Sequence, residues 1–366
     1  MRILHLPDVV GGHATELARA ERRQGLDSRS LNFYRSPYGF RADIELGLEG
    51  KGRIQKAFAH LQALAEFRRG FDVYHFNYGS SFLHFAKFGI SHLDLPFVDP
   101  DAAKIFTYQG CDARQKYPTM HRNEALGSDS AACFEADCYD GVCNSGQLDK
   151  WRRRSIEKAD RHAFHIFALN PDLLYFLPAE KSSFLPYCVD RPDLLPAPKV
   201  DFFSNGKLRI AHAPTQRGAK GSRYILEALD ILEAKYPTQL EVDLIEGETR
   251  EMAMARIAQA DLFIDQTLVG WYGAVSVEAA LMGVPSAVFI NEEHLTFVPP
   301  EMARSIPFYR IRKHSLLADL EYFVRNREQV WHLSAAGLRY ASAWHKSDSV
   351  ARLTGSVYRR ALKIDM

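Results

Sequence analysis

The stretch 262–289, LFIDQTLVGWYGAVSVEAALMGVPSAVF, constrains this chain more tightly than any other. It opens on a short apolar run, 262–264, of the length of a buried strand. A turn bearing Gly270 and Gly273 follows, then a helix-like stretch over 274–282 that Gly283 and Pro285 bring to a stop. Residues 286–290 read as the next buried strand. Strand, glycine turn, helix and strand make a βαβ unit. Its helix begins with N–H groups that have no acceptor inside the helix and with a partial positive charge, an end suited to an anion. Glu278, one turn further on, could accept hydrogen bonds from sugar hydroxyls. The same residues also fit a plain parallel-sheet unit with a packing glycine and a capping glutamate.

With 366 residues the chain can build two ordinary domains, each with its own core. Its 46% hydrophobic and 25% charged content is that of a globular protein. A formal charge of +1 gives no broad electrostatic case for a nucleic-acid partner. The opening MRILHLPDVV lacks the layout of a signal peptide and reads as a first strand. No apolar stretch approaches the length of a transmembrane helix. Five cysteines without a secretory signal are expected to be reduced thiols in the cytoplasm.

Residues 2–6 are strand-like, and Val9, Val10, Gly11, Gly12 and His13 lead into a helix carrying Leu17, Ala18 and Ala20. Gly25 ends that helix, and 28–33 reads as the second strand. A glycine pair lets backbone N–H groups come close to a ligand. His13 either faces such a ligand or is an exposed residue at a helix start. Residues 51–69 read as an amphipathic helix, with Ile54, Phe58, Leu61 and Ala65 on one stripe and Lys51, Arg53, Lys56, Arg68 and Arg69 around it. The stripe is expected to pack on the sheet; a basic amphipathic helix can also lie on an anionic membrane surface.

Residues 71–79 read as a strand running into an aromatic loop, and 104–108 as a strand ending in Gln109, Gly110, Cys111 and Asp112. In doubly wound sheets ligands sit beyond the carboxyl ends of strands, so both tails point at one crevice. Asp112 could serve there, or cap the helix that follows. Cys111, Cys133, Cys138 and Cys143 could hold a structural zinc. Their spacing is not that of a familiar zinc knuckle, however, and cysteine often serves as a small buried residue, so no metal is expected. Residues 148–163 read as a basic helix, 163–169 as a strand, and Asn170-Pro171 as the start of another helix. The Pro- and Asp-rich stretch that follows has no period. The expected division is a first domain 1–190, a linker 191–206, a second domain 207–345 and a returning segment 346–366.

The second domain opens with a strand over 207–212. After it Arg217 and Lys220 bracket a glycine turn ending at Gly221. Two converging cations there would offset the charge of a diphosphate; two solvated surface cations are the plainer reading. The G-x-x-x-x-G-K-[ST] spacing of a Walker A loop is not present. A helix follows with Ile225, Leu229 and Leu232 on one stripe, then an alternating strand over 240–244 and a short helix over 251–259. Asp265 and Gln266, at the end of the 262–266 strand, could reach a sugar or cap their own loop. Residues 315–325, 327–338 and 347–362 read as helices.

From Gly270 to Pro285 the run G-x-x-G-x-x-x-x-E-A-x-x-x-G-x-P resembles the nucleotide-sugar motif of GT-B glycosyltransferases, in the large retaining family numbered four, the glycosyl transferases of group 1. The family's first Glu, eight positions before the second, is Gly270 here, and Glu278 matches the second. TYQGCD, from Thr107 to Asp112, resembles the family's T-x-H-G-x-D with Gln109 in place of the histidine. The opening strand with its Gly-Gly loop, His75 after a strand, the exit loop over 184–190 and the Arg217–Lys220 turn also have counterparts in that family.

The resemblance implies a GT-B fold: two doubly wound Rossmann-like α/β domains facing across a cleft, with a last helix crossing back to the first. It implies a sugar moved, with retention, from a UDP- or GDP-sugar to a glycan, lipid-linked or other hydroxyl acceptor in surface polysaccharide or glycoconjugate synthesis. The donor would meet Gly12, Arg217, Lys220, Gln266, Tyr272, Gly273, Ala274 and Val275, with Glu278 on the ribose. His13, Gln109 and Asp112 would lie near the chemistry. No metal or further cofactor is implied, and a weak peripheral contact with the inner face of the membrane would suit a lipid-linked acceptor. A nucleotide-sugar 2-epimerase, which shares this two-domain design, and a non-catalytic nucleotide-sugar binder, suggested by the departures at Gly270 and Gln109, remain as alternatives.

Overall fold

A computed structural model describes residues 1–7, 10–36, 39–85, 88–189 and 197–364. In chain order its first half carries β1 (Arg2–Leu6), α1 (His13–Arg23), β2 (Asp27–Asn32), β3 (Ile44–Glu45), α2 (Arg53–Phe67), β4 (Val73–Asn77), β5 (Ala103–Tyr108), α3 (Lys116–Ala125), α4 (Gln147–Asp160), β6 (His165–Ala168) and β7 (Ser182–Phe184). The second half carries β8 (Leu208–His212), α5 (Arg217–Lys220), α6 (Ser222–Lys235), β9 (Leu240–Leu244), α7 (Arg250–Gln259), β10 (Leu262–Gln266), α8 (Ala274–Leu281), β11 (Ser286–Val288), α9 (Pro300–Ser305), β12 (Tyr309–Arg310), α10 (Leu316–Arg325), α11 (Gln329–Trp344) and α12 (Ser347–Ala361).

The strands form two all-parallel sheets, of seven strands in the order β3-β2-β1-β4-β5-β6-β7 and of five in the order β12-β11-β10-β8-β9. Each is doubly wound, as expected. Parallel strands covered on both faces need apolar residues at nearly every position; β4 and β10 are buried along their whole length. The first core gathers Leu4, Phe76, Phe106 and Ile166 on one face of the larger sheet. On the smaller sheet Ile210, Ile225, Leu229 and Ile264 pack together, so the α6 stripe lies where its spacing put it.

Contacts divide the chain into two units, Met1–Gln115 with Gln147–Asp190 and Lys346–Met366, and Lys116–Gly146 with Arg191–His345. The sequence reading ran the first domain unbroken over 1–190, and 116–146 departs from it. That segment is bound into the second unit by Asp129 to Lys313 and His314 at 2.9 and 2.6 Å, by Glu135 to Arg223 at 2.9 Å, and by the Ala132 N–H donating to the Leu268 carbonyl. Polar partners so far away in sequence leave no periodic signal. Asp190 and the first part of the expected linker, 191–196, lie outside the described residues. The helix expected from Asn170 is a short 3₁₀ turn, Pro171–Tyr175.

A second correction concerns α2. Its spacing was right, but the face was not. His60, Ala63 and Leu64 are the buried residues, whereas Ile54, Phe58 and Leu61 are exposed. His60 sets the orientation: its Nδ1 donates to the Phe82 carbonyl at 2.7 Å and its ring stacks on Phe33 at 3.9 Å between centroids.

The last helix, α12, returns to the first unit. Val350, Ala351, Val357 and Tyr358 join Ile3, Leu17, Val73 and Ile105 in one apolar cluster. A buried polar chain runs through the same place. Glu21 lies 2.8 Å from His5 Nε2 and accepts hydrogen bonds from Ser28 and Thr354, while His75 sits 2.6 Å from both the Tyr358 and Thr107 hydroxyls. Arg23 reaches Ser347 and Asp348 at the rim. No helix among the described residues is long and apolar enough to cross a membrane. Tyr358→Phe removes one partner of a buried imidazole and should cost about 1–3 kcal/mol, read as a lower urea midpoint with an unchanged slope; an unaltered midpoint would show that the hydroxyl does not hold α12.

Candidate functional site

In the second unit β8, β9 and β10 run parallel and end at the same edge. After β8 the Gln216 side chain caps the single turn of α5 by accepting from the Ala219 N–H. Gly221 then adopts φ +73°, and a Cβ there would lie 2.6 Å from Thr267 Cγ2. Only glycine lets this turn press against the exit of β10. The Thr267 N–H donates to the Lys220 carbonyl at 3.0 Å, which ties the two loops together.

That apposition carries the Lys220 ammonium to the amino end of α8, where it pairs with Asp265. The Asp265 side chain is fully buried and also accepts from the Gly273 N–H at 2.6 Å and the Ser276 hydroxyl at 2.8 Å. Burial works to raise the pKa of this carboxyl, but the Lys220 charge and these hydrogen bonds outweigh it and hold it below the usual range. The loop-capping role of Asp265 is therefore the one realised. Ala274 and Val275 open the helix, and by helix geometry their N–H groups find no acceptor within it.

Arg217 lies at the same edge and pairs with Glu246, just past β9, its Nε 2.7 Å from Oε1; it is more than half exposed. Glu278 is buried one turn into α8, with Arg250 Nη2 2.9 Å from its Oε1. A carboxylate offers about four acceptor positions in all. Arg250, at the start of α7, escaped the sequence reading, since nothing in the primary pattern links it to Glu278.

Two donor-side candidates have other employment. Gln266 Nε2 donates to the Trp271 and Phe289 carbonyls at 3.0 and 2.7 Å, and its Oε1 accepts from the Val269 N–H at 2.6 Å, so the amide braces its own loop. The Tyr272 ring is fully buried and its hydroxyl meets Tyr340 and His345 at 2.8 and 2.9 Å, in the packing beside α11. Gly270 stands at φ +79°, where a Cβ would lie 3.1 Å from Asn291 and 3.2 Å from His294. The residue that departs from the resembled motif is thus required by the backbone.

His13, Gln109, Asp112 and the Gly11–Gly12 pair belong to the first unit. Both glycines take left-handed φ, 61° and 77°, and deliver His13 to the first position of α1. There it is buried, not exposed. Its Nδ1 accepts from the Cys188 N–H at 3.4 Å, so the proton of the neutral ring sits on Nε2, a buried donor with no protein acceptor. Burial, with a smaller contribution from His5, lowers its pKa to about 3. Asp112 accepts from the Gln109 N–H at 2.9 Å and the Gly110 N–H at 2.6 Å, closing the loop after β5. Burial raises its pKa to about 6 against the pull of those N–H groups. The Gln109 carbonyl accepts from Asn170, which Tyr187 holds at 2.7 Å, while Gln109 Nε2 is a further buried donor without a partner. His75 lies inside β4 and serves α12. Among the described residues no group of three or more His, Cys, Asp or Glu is arranged to hold a metal, Cys111, Cys133, Cys138 and Cys143 included.

No protein-family model matches the chain, and no curated protein matches its sequence. Solved structures do match in fold. A sucrose-phosphate synthase from Thermosynechococcus elongatus superposes with a TM-score of 0.65 at 13% identity, covering 100% of both chains. The catalytic domain of starch synthase IV from Arabidopsis thaliana, bound to ADP and acarbose, gives 0.61 at 11% identity and 99% of both. A UDP-GlcNAc 2-epimerase from Neisseria meningitidis bound to UDP-GlcNAc gives 0.54 at 10% identity, covering 98% of this chain and 100% of that one. The fold is that of GT-B glycosyltransferases, built from two Rossmann-like domains.

Gly270→Glu, which rebuilds the motif's first acid, should lower stability by about 1–3 kcal/mol because the left-handed backbone disfavours a side chain; a melting temperature equal to wild type would contradict this. Asp112 gives a pH signature. Its folded pKa of about 6 exceeds the ordinary 3.8, so the folded form prefers the neutral acid, and this carboxyl costs stability progressively as pH rises from about 4 to 6, by up to roughly 3 kcal/mol. The stability difference between wild type and Asp112→Asn should shift across that window in favour of the variant, and a difference flat with pH would remove the assignment.

Proposed function

We propose that this chain is a glycosyltransferase that moves a sugar from a nucleotide-diphosphate sugar, UDP- or GDP-linked, to an acceptor hydroxyl. One observation carries the reading: Lys220 is held against the amino end of α8, at the strand-end edge that also bears Arg217 and Glu278. Phosphate oxygens placed there would meet an ammonium, a guanidinium and the N–H groups of Ala274 and Val275, and Glu278, oriented by Arg250, would accept from the ribose. The bond from the anomeric carbon to the phosphate oxygen breaks as the bond to the acceptor oxygen forms on the same face. The acceptor proton passes to the leaving phosphate, and the cations stabilise the charge that develops on it. His13 and Gln109, the candidates of the first unit, offer buried N–H donors without a protein partner and not a base. The reading extends to surface polysaccharide or glycoconjugate synthesis in the cytoplasm, with a glycan or lipid-linked acceptor.

A nucleotide-sugar 2-epimerase is the second reading, favoured by the fold likeness to the Neisseria enzyme. A thermal-shift panel of UDP, GDP, ADP and CMP with their sugars should single out one nucleotide, since stabilisation follows RT ln(1 + [L]/Kd). Incubating the selected sugar nucleotide with and without acceptors separates transfer from epimerisation, and binding with neither product marks a non-catalytic binder. Lys220→Ala and Arg217→Ala should each lower turnover at least tenfold, about 1.4 kcal/mol of transition-state stabilisation; full activity in both would remove the phosphate assignment.

A further inference from the structure

The outer face of α2 has chemistry of its own. At about 100° per residue, Leu61, Ile54, Ala65 and Phe58 fall within an arc of roughly 60°, opposite the His60, Ala63 and Leu64 side that is buried. Ile54 is 86% exposed, Phe58 61% and Leu61 53%. Scattered exposed apolar residues are ordinary on a protein, but three large ones forming the outermost line of one helix make a patch. Cations bracket it. Lys51 and Arg53 stand at the helix start and Arg68 and Arg69 at its end, and 51–69 holds five Lys or Arg against the single acid Glu66. Lys56, partly buried 5.6 Å over the Tyr34 ring, belongs to the inner flank. His60, on the inner face, has a pKa lowered by burial and adds no charge.

We propose that α2 docks the first unit on an anionic lipid surface. Ile54, Phe58 and Leu61 enter the boundary between headgroups and acyl chains, and the terminal cations meet lipid phosphates. An apolar line with positive charge at both ends matches a flat, uniformly negative surface. The helix is already folded and held through its inner face, so binding pays no coil-to-helix ordering cost. Such a contact is reversible and weakens with salt. It does not depend on the glycosyltransferase reading.

The test is co-sedimentation of the full chain with vesicles of phosphatidylcholine alone and of phosphatidylcholine mixed with phosphatidylglycerol. The protein should bind the anionic vesicles, bind the neutral ones far less, and detach as salt rises. The double variant Ile54→Glu/Phe58→Glu should lower anionic-vesicle binding at least tenfold, and because both side chains are in solvent its melting temperature should match wild type. No binding by the wild type, equal binding to neutral vesicles, or undiminished binding by the double variant would overturn the proposal. So would light scattering that shows a wild-type dimer and a monomeric variant, which would give the face to a second copy of the chain.

Discussion

The Asp265 carboxylate is sealed from water, and the edge of the second sheet is arranged around that fact. A buried charge is tolerated only when it is paired and hydrogen-bonded, and losing one partner of such a pair costs several kcal/mol. Asp265 meets the condition with Lys220, the Gly273 N–H and the Ser276 hydroxyl. Each partner comes from a different part of the candidate site: the turn after β8, the glycine loop after β10, and the first turn of α8. One carboxylate thus fixes the relative positions of all three. An ammonium has three donors, so Lys220 can keep Asp265 and still offer N–H groups outward.

The sequence suggested two free cations awaiting a diphosphate. In the structure the edge is balanced instead, with Arg217 on Glu246, Lys220 on Asp265 and Arg250 on Glu278. An anion bound there as proposed would then depend less on net charge and more on directed donors, namely the helix amides and the N–H groups of Lys220 that Asp265 does not take. This difference matters for selectivity. A site with surplus positive charge would take any polyanion, whereas a neutral one rewards only oxygens placed to accept those particular hydrogen bonds.

Secondary structure was largely legible because parallel strands and amphipathic helices write their periods into the chain; β10, α8 and β11 follow the stretch that announced them. What a period does not say is which arc of a helix faces inward. For α2 the apolar stripe looked like the buried one, but a single hydrogen bond from His60 and its stacking on Phe33 turn the helix the other way. Neighbouring residues in a motif also diverge. Gly273 feeds its N–H to Asp265, while the Tyr272 side chain, one residue earlier, points into the packing around Tyr340. Gln266 looked able to reach a sugar, yet its side-chain amide serves the loop. The 116–146 segment and Arg250 were out of reach for one reason: their partners are far away in sequence and polar, so no spacing betrays them.

The return of α12 to the first unit raises a packing question that its apolar residues alone do not answer. The helix arrives after the whole of the second unit, and an apolar face of Val350, Ala351 and Val357 could slide by a turn on the sheet at little cost. The polar chain beneath it removes that freedom. Thr354 must reach Glu21 and Tyr358 must reach His75, and a shift of either would strand buried hydrogen-bonding groups. Because α1 supplies Glu21 and begins at His13, the same network that seats the last helix also holds the helix that presents the Gly11–Gly12 loop. The polar residues inside this core are thus what registers the end of the chain against its beginning.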